Sequence, residues 1–474
     1  MRKLILTLSI VVGLATSAVG PLLGGALAVL AWIGRARESG ELLQAVTIAA
    51  GLILLSLGFG LALAWAGWSA LRGRPARGFR LPRWGWWLLA LVVALGLGQA
   101  AFSAGILPLV PVAHIAAGVL PAFLFLSVAL GSARRGGGAI TTRPVIGSLA
   151  WGGLGGVGLA MVLEVILVLV AVVGFVLWMS AKDPELIRKL QADVLQKVQE
   201  SGDLNQGLSE LMPYLTSPLV MLGILGGIAV VVPLLEEGVK SLAVPLVALT
   251  GRSLTRLDGF LLGAAAGAGF ALFEGVMNGI LTLSVPGGWA PLMAARAGTA
   301  AIHCCATGLA GLGWEAVLTE RRWARGVGLG AAALALHGVW NLLAGAQTLL
   351  GLRDLGSTGG AAPGGQSPLT LLLVGFMGLV WVGAVLILAL LPRRLARDSR
   401  PSGSNPPLGD QGYEAQDEPV DQESVEERPA APGDPTEEGS AEDRAQRLDL
   451  GLAEMGQGKR DRLDDDGARP DDAQ

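Results

Sequence analysis

Ten stretches of about 20 or more mostly apolar residues run through this chain of 474 residues. A stretch of that length crosses the hydrocarbon core of a bilayer as one helix, which satisfies its own backbone polar groups. Charged residues make up 15% of the chain, against about 25% in soluble domains. The sequence therefore predicts an all-α fold, a polytopic membrane helical bundle. The predicted spans lie near 4–33, 42–71, 85–104, 107–131, 146–180, 217–249, 259–283, 290–318, 326–350 and 368–392.

The first apolar run begins like a secretory signal peptide, directly after Arg2 and Lys3. It continues through Pro21 to about Gly34, however, and so extends far beyond the apolar region of a signal peptide. We therefore expect an uncleaved first helix.

Short loops rich in arginine predict the orientation of the spans, because such loops stay in the cytoplasm. With ten spans, these loops all fall on the side of Arg2 and Lys3. Both termini are therefore predicted inside, in a multi-pass protein of the cell membrane with the lipid bilayer around it and no nucleic-acid partner. The arginines that mark these loops are Arg72, Arg74, Arg77, Arg80, Arg83, Arg134, Arg135, Arg143, Arg252, Arg256, Arg321, Arg322, Arg325, Arg393, Arg394 and Arg397.

Composition and hydropathy divide the chain into five regions. The N-terminal region of about five spans is followed by an outer segment with apolar residues at every fourth position, typical of an amphipathic helix. That segment either lies on the membrane surface over a pocket or is a connector helix; the sequence leaves both open. The last region is acidic, rich in Pro, Gly and Ser, and too polar to fold alone, which predicts a disordered cytoplasmic tail of unknown partner. The predicted regions are 1–181, the outer segment 182–214, the core 215–350, the outer loop and last span 351–397, and the tail 398–474.

The sixth span carries three ionisable residues near its middle: Glu236, Glu237 and Lys240. The lysine lies four and three residues after the glutamates, so its ammonium reaches either carboxylate on one helix. Pro233 precedes them by about one turn and predicts a kink, which often borders a cavity.

The next three spans also carry polar residues at mid-depth. They are Glu274, then His303, then His337 with Asn341 at i+4. A charge at that depth costs roughly 2.5–3.5 kcal/mol on insertion scales, so residues in successive spans are expected to share one polar pocket. Two chemistries fit: a divalent metal, or a general base with an orienting partner and an oxyanion donor. For a metal, with zinc as a candidate, the sequence suggests Glu237, Glu274, His303 and His337.

Two further charged residues have open roles. Arg296 lies two turns before His303 and binds either a substrate carbonyl or lipid headgroups, with headgroups slightly favoured. Glu164 is alone in the fifth span and either completes the pocket or stays protonated beside a neighbour.

The motifs Glu236-Glu237-x-x-Lys240 and Phe270-x-x-x-Glu274, followed by a helix that contains His, resemble the PrsW family of bacterial intramembrane proteases. That family is grouped with the prenyl-protein CAAX endoproteases, and His337-x-x-x-Asn341 resembles a motif of the larger group. The resemblance covers about 217–350. At the fourth position after Glu274, where many members have Tyr, this chain has Asn278. The family's His-x-x-x-Asp pattern is also missing, so which His is essential stays open.

The resemblance implies hydrolysis of peptide bonds in membrane-anchored protein substrates such as an anti-sigma factor. By analogy, Glu236 would activate water, Glu274 or His303 would orient it, and His337 with Asn341 would stabilise the oxyanion. Whether a metal takes part is left open.

Two other functions compete with proteolysis. Mid-membrane Glu and His also occur in proton-coupled transporters, but no second copy of the motifs indicates the repeated halves that carriers often have. An inactive membrane scaffold is the third reading, and the intact polar set argues against it.

Overall fold

The protein is described by a computed structural model that covers residues 2–33, 39–182, 218–284, 286–357 and 368–399, with a few positions between 184 and 196. Within these residues the chain is helical, without a β-strand, and one isolated antiparallel bridge joins Gly78 to Thr141. The helices are α1 Arg2–Ile33, α2 Ser39–Leu71, α3 Trp84–Ser103, α4 Val110–Arg135, α5 Thr142–Ala150, α6 Val157–Lys182, α7 Pro218–Gly226, α8 Val232–Ser241, α9 Ala243–Ala248, α10 Arg256–Met277, α11 Trp289–Leu318, α12 Trp323–Ser357 and α13 Pro368–Asp398.

The predicted membrane bundle is confirmed. The described residues contain ten helical stretches long and apolar enough to cross a membrane, and they coincide with the ten predicted spans. Two of these stretches are interrupted: α5 and α6 are joined by a π-helical turn at Trp151–Gly156, and α7 and α8 by another at Gly227–Val231. The chain is therefore a multi-pass membrane protein.

The centre of the bundle is formed by α4, α10 and α11, the spans with the largest buried share. α10 packs most extensively on α11, and α4 packs on α10. Their apolar side chains belong to one core cluster with residues such as Phe125, Phe260 and Ile302. Two of the four spans with mid-depth polar residues, α10 and α11, are thus central, and α8 and α12 pack against α11.

Glycines let α10 approach α11 at close range. A Cβ at Gly263 would lie 2.2 Å from the carbonyl oxygen of Thr307, and one at Gly267 would lie 2.2 Å from that of His303. Only a residue without a side chain fits there, as is common where membrane helices pack tightly. This close approach sets the position of His303 and Thr307.

The start of α10 is defined by a capping box. The Thr255 side chain accepts a hydrogen bond from the backbone N–H of Asp258, and the Asp258 carboxylate accepts one from that of Thr255. Both bonds satisfy N–H groups that a helix start leaves free. Arg252 also donates to Asp258 at 2.8 Å, which ties the preceding loop to this cap.

The sixth span is divided into three helical parts, α7, α8 and α9. Pro233 lies in the first turn of α8, directly after the π-helical turn Gly227–Val231, and Leu242 separates α8 from α9. A π-helical turn often marks a functional site, and here it precedes the helix that carries the glutamates.

Several predicted features lie outside the described residues. Nearly all of the outer segment 182–214 does, as do the part of the outer loop at 358–367 and the acidic tail from 400 onward.

Candidate active site

A fully buried lysine lies at the centre of the polar residues. The ammonium nitrogen of Lys240 is 3.0 Å from Glu236 Oε2, 2.6 Å from Glu237 Oε1 and 3.0 Å from His303 Nδ1. The ring of Phe270 lies beneath it, with the centroid 4.3 Å from Nζ. The predicted pairing of Lys240 with the glutamates is therefore present, and it extends across to α11. In a medium without water, these contacts replace the solvation that burial removes.

Glu237 has partners for both carboxylate oxygens. Oε1 accepts from Lys240 and lies 2.8 Å from His337 Nδ1, and Oε2 accepts from the Thr307 hydroxyl at 2.7 Å. The side chain is 2% exposed. Glu237 therefore joins α8 to both α11 and α12, and a carboxylate engaged on every side is suited to support its neighbours.

Glu274 and His303 form a second pair. The Nε2 atom of His303 is 2.5 Å from Glu274 Oε2. The other oxygen of Glu274 accepts from the Asn278 amide at 3.0 Å and from Arg296 at 3.4 Å. Asn278, at the position where the family often has Tyr, is thus a hydrogen-bond donor to this carboxylate.

The two histidines are neighbours. Their ring centroids are 4.9 Å apart with an interplanar angle of 88°. The Phe270 ring packs on His303 at 5.3 Å and so supports both the histidine and Lys240. The aromatic residue one turn before Glu274 is therefore part of the wall of the site.

Glu236 is the least engaged of the carboxylates in the buried centre. Its Oε2 accepts from Lys240 and lies 3.7 Å from His337 Nε2. No hydrogen-bond partner for its Oε1 occurs among the described residues. Glu236 thus keeps an oxygen available for a water molecule or a substrate.

Three of these side chains have the composition and spacing of a metal site. One ligand atom each from Glu236, His303 and His337 lie within 4.8 Å of one another, and all three residues are buried. Two imidazoles and a carboxylate, with a position left for water, are typical of catalytic zinc. Each histidine also has a carboxylate partner: Glu274 at His303 Nε2 and Glu237 at His337 Nδ1. Such carboxylates orient the rings of metal-binding histidines. The donor types therefore fit a divalent metal, and the Lys240 ammonium, which now lies 3.0 Å from both Glu236 Oε2 and His303 Nδ1, would have to move away for the ion to bind there.

This donor set differs from the one that the sequence suggested. His303 and His337 belong to both, but Glu236 stands where Glu237 and Glu274 were expected. The physical reason is that Glu237 and Glu274 are already paired with the histidines and serve as their hydrogen-bond partners. Spacing along a helix did not reveal which of two adjacent glutamates faces which neighbour.

The remaining predicted residues lie nearby with other partners. Asn341 donates from Nδ2 to the carbonyl oxygen of Ile228, in the π-helical turn before α8, at 3.3 Å. Arg296 contacts Glu274, whereas lipid headgroups had been slightly favoured for it. Glu164 Oε1 is buried and has no partner among the described residues, so neither of its two proposed roles is decided.

Some contributors were missing from the sequence reasoning. Thr307, one turn after His303 in the sequence, was not among the predicted site residues, yet its hydroxyl donates to Glu237 at 2.7 Å. No sequence pattern pointed to Trp151. Its Nε1 donates to the carbonyl oxygen of Val239 at 2.9 Å and so braces the helix that carries the glutamates.

The third histidine of the chain, His114, has a structural position. Trp289 Nε1 donates to its Nδ1 at 3.3 Å, and its Nε2 is 3.0 Å from the carbonyl oxygen of Val276. Since Nδ1 accepts, Nε2 carries the proton and donates. His114 therefore ties α4 to the end of α10 and has a partner on each ring nitrogen.

A small cavity borders the second pair. It has a volume of about 10 Å³ and is lined by residues of α4, α10 and α11, among them Glu274, Arg296 and His303. That is room for about one water molecule. The carboxylate of Glu274 is thus within reach of a site that water can enter.

Part of the chain matches a known protein family. Residues 204–389 match the family model described as PrsW family intramembrane metalloprotease. No curated protein and no solved structure matches the chain. The matched segment contains Glu236, Glu237, Glu274, His303 and His337, while the first five spans precede it. Over residues 204–389 the chain belongs to the PrsW family of intramembrane metalloproteases, and it is accordingly a membrane-embedded protease.

Proposed function

We propose that this chain hydrolyses a peptide bond of a single-span membrane protein, with Glu236 activating the attacking water. The observation that carries the proposal is the meeting of Glu236, His303 and His337 within 4.8 Å in a buried part of the bundle. A membrane-anchored protein such as an anti-sigma factor is the proposed kind of substrate.

Glu236 is the proposed base because it alone of the carboxylates in the buried centre has an unengaged oxygen. It takes a proton from water as the oxygen attacks the scissile carbonyl carbon. The same proton then passes to the leaving amine as the C–N bond breaks, which leaves a new carboxyl group and a free amine. Lys240 holds Glu236 in place at 3.0 Å.

His337 and Asn341 are the proposed donors to the oxyanion. They lie one turn apart on α12, and Glu237 fixes the ring of His337 through Nδ1 at 2.8 Å. Asn341 uses one amide hydrogen on Ile228 and has a second one available. Donors held in place before the reaction stabilise developing charge most effectively.

A divalent metal, zinc foremost, fits the donor set of Glu236, His303 and His337. Bound there, it would polarise the scissile carbonyl and make a bound water a stronger nucleophile. Glu236 and His337 would then serve as its ligands, and Asn341 would remain as the donor to the oxyanion. Glu274 and Glu237 would then keep His303 and His337 oriented, as they do in this structure.

Metal removal tests this part of the proposal. We expect purified protein to contain one zinc ion per chain by elemental analysis, and His303→Ala and His337→Ala to lose it. A chelator should abolish cleavage of a single-span reporter, and added zinc should restore it. Cleavage that persists in chelator, with no metal bound but with Glu236→Gln inactive, would replace the metal by a metal-free glutamate mechanism. Unchanged cleavage in Glu236→Gln, Glu237→Gln, His303→Ala and His337→Ala alike would eliminate the site.

The proposed setting is the cell membrane, with both termini in the cytoplasm. The distribution of arginine among the short loops supports this orientation. The two native cysteines, Cys304 and Cys305, are both buried, so a cysteine introduced in the tail can be labelled against a low background. We expect an impermeant maleimide to label a Ser404→Cys variant only after the membrane has been opened. Labelling in intact cells would reverse the orientation.

A further inference from the structure

A large apolar groove is lined by none of the ionisable residues of the buried polar centre. It has a volume of about 710 Å³ and runs between α1, α2, α5 and α9, within the usual range of about 300–1,000 Å³ for ligand sites. Leu6, Leu63, Leu154 and Leu246 are among the residues that line it. We call it the inner groove, because its elements lie at the ends of their spans that adjoin the arginine-rich loops.

The inner groove has an apolar body and a cationic mouth. Arg143 and Arg252 line its end beside the loops, together with Thr141 and Thr250. Arg143 donates to backbone carbonyl oxygens of Ser69 and Pro75, and no acidic side chain pairs with it among the described residues. Its positive charge is therefore not balanced locally.

Arg252 adds a free donor at the same place. It donates to Asp258 and to Thr141, but its Nε–H is buried and has no partner among the described residues. An unmade hydrogen bond of a buried charged group costs free energy. An anionic group at the mouth would supply the negative charge that Arg143 lacks, beside the guanidinium of Arg252, which is about a third exposed.

The body of the groove lies between membrane-spanning helices, so lipid and not water is expected to surround it. Leu8 and Val12 of its α1 wall are 50% and 47% exposed, on a helix that faces outward over most of its length. The hydrocarbon region contains no water to fill such a space, so an apolar occupant must fill it. The apolar groups that a membrane offers as occupants are lipid acyl chains and transmembrane segments of other proteins.

The length of the groove selects lipid. Its longest wall covers 13 residues, from Arg143 to Gly155, and its ends are about 18 Å apart at 1.5 Å per residue. That is close to half of the hydrocarbon core of about 30 Å. A transmembrane helix would need a wall through both leaflets, whereas the acyl chains of one leaflet need only this depth.

We infer that the inner groove binds an anionic phospholipid of the cytoplasmic leaflet, with its phosphate at Arg143 and Arg252 and its acyl chains against α1, α2, α5 and α9. Trp151 lines the wall between Arg143 and Gly155 and braces α8 through Val239. A bound lipid would therefore contact the residue that supports the helix of Glu236.

A glycine in the groove wall allows a selective test. A Cβ at Gly147 would meet no atom within 4 Å, so Gly147→Trp fills the groove without displacing the backbone. Gly96 on α3 is equally open and lies outside the groove, so Gly96→Trp is the matched control. The full chain is purified, delipidated in detergent, and mixed with dioleoyl phosphatidylglycerol or dioleoyl phosphatidylcholine, and bound lipid is counted by native mass spectrometry.

We expect wild type and Gly96→Trp to retain one phosphatidylglycerol in preference to phosphatidylcholine. Gly147→Trp, with an unchanged melting temperature, should lose it, and Arg252→Gln should lose the preference between the headgroups. Equal retention of both lipids by wild type would overturn the anionic specificity. Equal retention by Gly147→Trp and Gly96→Trp would overturn the site, and if Gly147→Trp then failed to cleave the reporter, the groove would belong to the protein substrate instead.

Discussion

Glu236→Gln is expected to lower the rate of reporter cleavage by about 10²–10⁴, the usual contribution of a general base, while the melting temperature stays nearly unchanged. Glutamine keeps the shape of the side chain and an oxygen that accepts from Lys240, whose nitrogen is 3.0 Å away in wild type. It cannot take a proton from water. The rate would be measured on the purified protein with a single-span reporter, beside a thermal unfolding curve.

Two other glutamates serve as controls. Glu315 is buried on α11, 12 residues beyond His303, or about 18 Å along the helix, so Glu315→Gln should cleave at the wild-type rate. Glu237→Gln should lower both the rate and the melting temperature, because Glu237 holds Lys240, His337 and Thr307 together. If instead Glu237→Gln were inactive at full stability and Glu236→Gln remained active, the base would be Glu237.

Lys240→Met is expected to destabilise the protein by about 3–5 kcal/mol, the cost of leaving a buried charge without its partner. The ammonium is fully buried and contacts both glutamates of α8. Methionine fills a similar volume and packs on Phe270, so the loss would come from charge and hydrogen bonding and not from a cavity. The free energy of unfolding would be measured by denaturant titration in detergent.

A second substitution separates charge from packing. In the Glu237→Gln/Lys240→Met double variant, one of the two uncompensated carboxylates is removed, so part of the stability should return relative to Lys240→Met. The coupling in this double-mutant cycle reports the interaction between the two residues. Independent, additive effects of the two substitutions would show that the ion pair does not hold α8 in place.

Much of the fold followed from the apolar runs, because only a helix can cross the hydrocarbon core and satisfy its backbone. All ten predicted spans have helical counterparts. The π-helical turns at Trp151–Gly156 and Gly227–Val231 were not predicted. Each changes the hydrogen-bond register by one residue, and no residue pattern in the sequence marks such a change.

The candidate site was partly predictable for a similar reason. Charges at mid-depth are costly, so Glu236, Glu274, His303 and His337 on successive spans were expected to meet, and the structure brings them together. The pairing of Lys240 with the glutamates was predicted, but the contacts between different helices were not: Asn341 contacts Ile228, and Arg296 contacts Glu274. Such partners depend on how each helix is rotated about its axis and how deeply it is set against its neighbours.

By itself, the sequence determined that this protein has about ten membrane spans. It also determined that the polar residues of four successive spans should lie together in one pocket. Both conclusions rest on the cost of polar groups in lipid, which depends on composition and depth alone. Only the tertiary structure decided that Glu237 supports His337, that Glu236 keeps a free oxygen, and that a lipid-sized groove opens beside α5. These features depend on close packing between helices, where a glycine such as Gly267 sets a distance of a few ångströms.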